Sequence, residues 1–162
     1  MDDVSQMFDR IMGSLNYPVF IATTTSAGER DGCVIGFATQ ASIHPGRFLA
    51  GLSRENRTYR LARDAIALAV HAVPRERRDL VELFGGETGD EVDKLARCDW
   101  SLGPHGLPIL DGCPSWFAGT IVSRHDLGDH EGLLLAPVDA RYERGELLYF
   151  QDVKDVEPGH SA

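Results

Sequence analysis

Two stretches of this chain carry side chains dense enough in function to do chemistry. The first is Ser53-Arg54-Glu55-Asn56-Arg57-Thr58, set directly before a helical pattern that opens with Tyr59, Leu61 and Ala62. A helix start exposes unpaired backbone N–H groups and the positive end of its dipole, and two arginines and a threonine hydroxyl beside it suit a phosphate. The plainer reading is a cap at Ser53 or Asn56 that binds nothing. The second stretch is His125-Asp126-Leu127-Gly128-Asp129-His130, the densest titratable cluster, placed where one strand turns into the next. Taken alone it fits three uses: a polar turn bent at Gly128, a histidine that donates a proton or grips a ligand, or a divalent-metal pair. No third metal-binding segment accompanies it.

Upstream of the first stretch, Cys33 to Ser42 is a run of β-branched, small and hydroxyl residues, broken by the turn signal His44-Pro45-Gly46 and followed by a second strand, Arg47 to Leu52. Small residues in a strand mark either a bulge or a close approach of another group to the backbone. Together, residues 31 to 61 read as one half of a cofactor pocket.

The elements that must position these groups follow from periodicity. An amphipathic helix is predicted from Val4 to Leu15, with Met7, Phe8, Ile11, Met12 and Leu15 on one face. Tyr17 to Thr25 has strand composition, and Ser26 to Gly32 forms a hairpin turn into the small-residue run. A short helix from Thr58 to Asp64, a buried strand from Ile66 to Val73 and a helix from Arg77 to Phe84 come next, the last capped by Gly85-Gly86. An acidic segment from Glu87 to Arg97 and a Gly/Pro-rich loop from Gly103 to Pro108 precede strands at Ser115 to Val122, Gly132 to Tyr142 and Glu146 to Phe150. The segment from Asp152 to Ala162 reads as a loosely ordered polar tail. Six or seven strands joined mostly by hairpins, without βαβ alternation, indicate an antiparallel barrel or sandwich and argue against a Rossmann fold.

With 162 residues, 43% of them hydrophobic, the chain suits one domain with a filled core. The acidic start Met1-Asp2-Asp3 lacks the apolar run of a signal peptide, and no apolar stretch is long enough to span a bilayer. The expectation is a cytoplasmic protein with no membrane association. The net charge of −9 disfavours a nucleic-acid partner, although Arg54 and Arg57 could still form a locally basic anion site. Cys33, Cys98 and Cys113 stand at no metal-like spacing and read as buried thiols, with a catalytic thiol as the less favoured use. Neither GxGxxG nor GxxxxGK[ST] is present, and GxSxG and HExxH are missing too, which leaves phosphate-loop, acyl-transfer and zincin chemistry unsupported. Trp100, Trp116 and Phe117 read as core or interface aromatics, and His71 as a satisfied core histidine.

In order along the chain, Asp31-Gly32-Cys33, Ser42-Ile43-His44-Pro45, Ser53 to Leu61, Asp93-Lys94-Leu95 with Asp99-Trp100, Gly106 to Leu110 and Gly128-Asp129-His130 resemble the flavin reductase family with the FMN-binding split-barrel fold. The likeness runs from about Leu15 to Phe150. It implies a mainly β, Greek-key antiparallel split β-barrel with a few flanking helices, formed by residues 1–151 as one domain ahead of the 152–162 tail, and a homodimer with flavin near its interface. By that resemblance Gly36, Phe37, Ala38, Thr39, Gln40, Ala41 and Ser42 would lie along the isoalloxazine ring. Ser53, Arg54, Asn56, Arg57 and Thr58 would hold the ribityl phosphate, and His130 would position the nicotinamide; no metal is implied.

The activity implied is NAD(P)H-dependent reduction of FMN, with FAD as an alternative, and one setting the resemblance offers for it is the reductase component beside a monooxygenase partner. Rival readings are a flavin- or haem-binding barrel without turnover, and a flavoenzyme with tightly held FMN acting on an organic substrate. This chain departs from the family where it has His44-Pro45-Gly46 in place of Asp-Pro-Pro, and Gly36 and Gln40 in place of Ser or Thr.

Overall fold

A computed structural model describes residues 3–159 of the chain. Its centre is a seven-stranded sheet, every neighbouring pair antiparallel, in the order β2-β1-β5-β8-β9-β4-β3. The strands are β1 (Phe20–Ser26), β2 (Glu29–Ile35), β3 (Ala38–Ser42), β4 (Arg47–Ser53), β5 (Ala67–Ala72), β8 (Trp116–Asp126) and β9 (His130–Arg141). A separate hairpin pairs β6 (Trp100–Leu102) with β7 (Pro108–Leu110), two short strands that flank the expected Gly/Pro-rich loop and that the sequence pattern did not reveal. The helices are α1 (Val4–Ser14), α2 (Arg57–Ala62), α3 (Arg78–Gly86) and α4 (Phe150–Val153).

The small-residue run expected as one strand is two. It breaks at Gly36-Phe37, and β2 and β3 then take up the opposite edges of the sheet. Because only two residues join those edges, the sheet has to bend back on itself there. One apolar cluster confirms the bend by uniting Cys33 and Ile35 of β2 with Leu68 and Val70 of β5, Ala50 and Leu52 of β4, and Leu133 and Leu135 of β9. Each pair is spaced by two, as a strand requires to bury one face. Leu133 and Leu135 are completely buried, and each contributes roughly 1.5–3 kcal/mol relative to exposure. A second cluster joins Leu80, Val81 and Phe84 of α3 to Val19, Ile21 and Val73 and to Val153 of α4.

Several expected boundaries moved. Gly85 and Gly86 lie inside α3, and the chain leaves the helix at Glu87 in extended conformation. The strand expected at Glu146 to Phe150 reduces to single bridges at Leu147 and Tyr149 before α4 begins. The tail from Asp152 is packed rather than loose as far as Gly159: Val153 is buried, Val156 rests on the same cluster, and the Gly159 amide donates to the Gly85 carbonyl at 3.1 Å. Residues 160–162, and Met1 and Asp2 at the other end, lie outside the described residues. The apolar stripe of α1 buries nothing, and Val4, Met7, Phe8 and Ile11 are all at least half exposed. No helix among the described residues is long and apolar enough to cross a membrane.

His71 is indeed a satisfied core histidine. Its Nδ1 lies 2.9 Å from the Ile21 carbonyl, and its Nε2 accepts from the Leu110 amide at 3.1 Å. Burial pushes its pKa down to about 4. The folded protein therefore refuses a proton that the unfolded chain takes up below about 6.5. Stability is expected to fall as pH drops from about 6.5 to about 4, with a loss of up to about 3 kcal/mol from this group. Urea melts between pH 7 and pH 4 should show that slope, and His71→Gln should flatten it.

Candidate functional site

The two chemically dense stretches meet across one strand pair. In the β4–β9 ladder Ser53 stands opposite His130, Leu52 opposite Glu131 and Gly51 opposite Gly132. The turn between β8 and β9 is only Leu127-Gly128-Asp129, with Gly128 at φ +123°, a conformation that favours glycine. His125 and Asp126 belong to β8, so the six-residue cluster is a hairpin tip rather than a loop.

Arg54 holds that tip in place. Its backbone amide donates to the Asp129 carbonyl at 3.1 Å, its Nε to the Gly128 carbonyl at 3.1 Å and its Nη2 to Asp126 Oδ1 at 2.9 Å. Nη1 donates to the Tyr59 hydroxyl at 2.9 Å and lies 3.5 Å from Glu131. Hydrogen bonds from the Gly128 amide and then from Arg54 hold the Asp126 carboxyl below its ordinary range. Asp129 Oδ1 in turn accepts from His130 Nδ1 at 2.8 Å, and its own pKa is lowered by that partner. This contact fixes the imidazole through Nδ1 and leaves Nε2 as the ring atom available to a ligand. The Phe37 ring packs against the imidazole, with centroids 4.8 Å apart.

These groups open onto a cleft of about 390 Å³, within the range of small-molecule sites. Gly36 and Phe37, Gly51 and Ser53 of β4, Asn56 and His130 form one part of its wall. Gly51 has to be glycine: its amide donates to the Phe37 carbonyl at 2.7 Å, and a Cβ there would stand 2.9 Å from that same oxygen. The opposite wall was not foreseen from the sequence as part of a site. It comprises Phe84 and Gly85 of α3, Tyr17 stacked on Phe150 at 4.6 Å, and Val153, Lys154, Val156 and Pro158 from the C-terminal segment. No aspartate or glutamate among the described residues lines the cleft.

The other expected site residues stand elsewhere. Ala38, Thr39, Gln40, Ala41 and Ser42 form the edge strand β3 and do not line the cleft; the Thr39 hydroxyl and Gln40 amide bond to the carbonyls of Gln40 and Ser42. Asn56 caps α2 by accepting from the Thr58 amide at 2.9 Å. Thr58 is fully buried. Arg57 is drawn to Asp31 at 3.2 Å and Glu29 at 3.7 Å. Of the twelve residues expected along the ring and phosphate, the cleft therefore gathers Gly36, Phe37, Ser53 and Asn56.

Lys94, from the Asp93-Lys94-Leu95 motif, has a supporting role that its charge did not advertise. It is buried, and its ammonium donates to the Gly32 and Phe84 carbonyls at 3.1 and 3.0 Å, tying β2 to the end of α3 beside the cleft. Desolvation lowers its pKa. Cys33 lines the cleft, but burial pushes its thiol up to about 12, so it is no nucleophile near neutrality. Among the described residues no group of three or more histidine, cysteine or acidic side chains could hold a metal ion.

Residues 12–156 match the family model described as flavin reductase like domain. The FMN reductase (NADH) RutF of Agrobacterium fabrum is 28% identical over 141 residues, covering 86% of this chain and 80% of that protein. The reductase subunit HsaB of a flavin-dependent monooxygenase from Mycobacterium tuberculosis is 27% identical over 160 residues, covering 93% and 82%. Among solved structures, the NADH:FAD oxidoreductase SgcE6 of Streptomyces globisporus superposes with a TM-score of 0.79 at 20% identity, over 92% of this chain and 85% of that one, which establishes a shared fold.

The Arg54 fan carries its own test. Arg54→Met should free the hairpin tip, and amide exchange at Leu127 to His130 should quicken by roughly tenfold while β5 stays protected. Unchanged exchange at the tip would show that the backbone ladder alone holds it.

Proposed function

The chain belongs to the flavin reductase like family, and from that premise we propose that it is an NAD(P)H-dependent flavin reductase. The observation that carries the reading is His130, fixed through Asp129 and facing Ser53 across β4–β9 on the wall of a cleft that no acid among the described residues lines. The cleft suits a flat ring with an uncharged or anionic tail: the Gly36-Phe37 backbone and aromatic side chains line it, and Ser53 and Asn56 offer neutral polar groups.

Flavin, when bound, supplies a two-electron acceptor that takes hydride from reduced nicotinamide. The protein's task is then alignment of two rings at about 3–3.5 Å with water excluded. His130 orients the nicotinamide through Nε2, and Gly36 with Phe37 supports the flavin ring. Ser53 and Asn56 take its polar chain. Of the residues that resemblance assigns to phosphate, Arg54 and Arg57 are already engaged by carboxylates and Thr58 is buried.

FMN is the flavin we assign first, by analogy with the RutF relatives, and FAD second. The bent sheet with joined edges supports the split-barrel reading. A homodimer would cover the exposed apolar stripe of α1 and the exposed Phe37 and Ile43. Free thiols fit a cytoplasmic setting. The likeness to HsaB supports a role as the reductase component beside a monooxygenase.

The purified protein should oxidise NADH or NADPH when FMN or FAD is added, followed at 340 nm. No oxidation with either flavin, together with an unchanged flavin spectrum on adding nicotinamide, would assign the cleft to binding without turnover. His130→Ala should lower kcat/KM for the nicotinamide by roughly tenfold to a hundredfold and leave flavin affinity within about twofold. Equal rates for variant and wild type would remove His130 from the site.

A further inference from the structure

The proposed cleft faces a charge problem. Its ligands are nucleotides with phosphate groups, yet the chain has a net charge of −9 and its two arginines nearest the expected phosphate site are engaged. Arg54 spans Asp126, Glu131 and two backbone carbonyls, and Arg57 is shared between Asp31 and Glu29. Arg60, one turn on, pairs with Asp90. Withdrawing any of these to meet a phosphate leaves a carboxylate behind, and in the case of Asp31 a buried one.

One lysine or arginine lines the cleft among the described residues, and it is Lys154. It follows α4, on the C-terminal segment that forms the far wall. The acids flanking it are bound to other groups: Asp155 to Arg78 at 2.7 Å, and Asp152 to the Tyr149 amide at 2.9 Å and Arg75 at 3.8 Å. Lys154 forms no ion pair with any described residue. It is exposed, and its ammonium is hydrated on a flexible four-carbon stem. The segment that carries it is anchored on both sides, by Tyr17 stacked on Phe150 and by the Gly159 to Gly85 hydrogen bond.

We propose that Lys154 is the cation that recognises a phosphate of the bound nucleotide in this cleft, and that it thereby sets the preference for phosphorylated over unphosphorylated substrates. The inference rests on the flavin reductase reading. The phosphate belongs either to the monoester of FMN or to the pyrophosphate of the nicotinamide dinucleotide, which share the same chemistry toward an ammonium group.

Titration of the full chain into FMN and into riboflavin, followed by flavin fluorescence, separates these sources. If the monoester is read, Lys154→Met weakens FMN binding by roughly tenfold and leaves riboflavin binding unchanged, while Lys154→Arg retains most of the FMN affinity. If the pyrophosphate is read, FMN binding is unchanged. The KM for NADH, with riboflavin as acceptor, then rises by roughly tenfold in Lys154→Met, and the KM for reduced nicotinamide mononucleotide changes much less. Either effect should shrink at high salt. Matching thermal melts would show that the variants fold.

If Lys154→Met leaves FMN affinity, NADH KM and their salt dependence as in the wild type, the assignment to Lys154 is overturned and flavin reduction stands. A wild-type protein that neither binds nor reduces any flavin overturns the flavin reading, and this assignment with it.

Discussion

The register of β4 against β9 is the constraint on which the rest of the site depends. It places Ser53 opposite His130, and with them two motifs separated by more than seventy residues. A slip of one residue would turn every side chain of β4 to the other face and send Ala50 and Leu52 out of the core. The burial of Leu133 and Leu135 across from β4 therefore holds the candidate site as well as the fold. Arg54 extends the same register past the end of the ladder, reaching the hairpin tip with its backbone amide and its guanidinium.

The bend in the sheet supplies the cavity. Because Gly36 and Phe37 link opposite edges, they stand where the sheet turns back, and Gly51 is pressed against the Phe37 carbonyl across that junction. Gly36 and Gly51 leave backbone uncovered by side chains on the cleft wall at that junction. The apolar cluster of α3 and α4 closes the opposite side, and the buried Lys94 ammonium pins the end of α3 by its Phe84 carbonyl. Stability and site share these parts, which leaves little freedom to alter one alone.

Electrostatics are distributed unevenly around the site. The arginines of Ser53 to Thr58 hold the protein's own acids, so their contribution is structural, joining the hairpin tip, β2 and α2. The cleft itself contains no acid among the described residues and has Lys154 on its wall, so the negative field of the chain reaches an anionic ligand there only from a distance.

Much of this was legible in the chain because local rules governed it. The strand expected from Gly132 to Tyr142, the cap at Asn56, the turn glycine at Gly128 and the apolar His71 all carry signals within a few residues, and each was realised. That Ser53 and His130 stand side by side follows from the β4–β9 register. What local sequence could not decide was which groups would be occupied. Arg54, Arg57 and Thr58 look like phosphate ligands until acids distant in sequence or burial claim them. Gly36-Phe37 looks like the middle of a strand until pairing sends the two halves to opposite edges. The C-terminal segment looks like a solvated tail until Phe150, Val153 and Val156 find apolar partners beside the cleft. Hydrogen-bond caps, turns and strand periodicity are short-range and written in neighbouring residues, whereas ion pairing, edge position and burial depend on what folding brings alongside, and only the tertiary structure decides that.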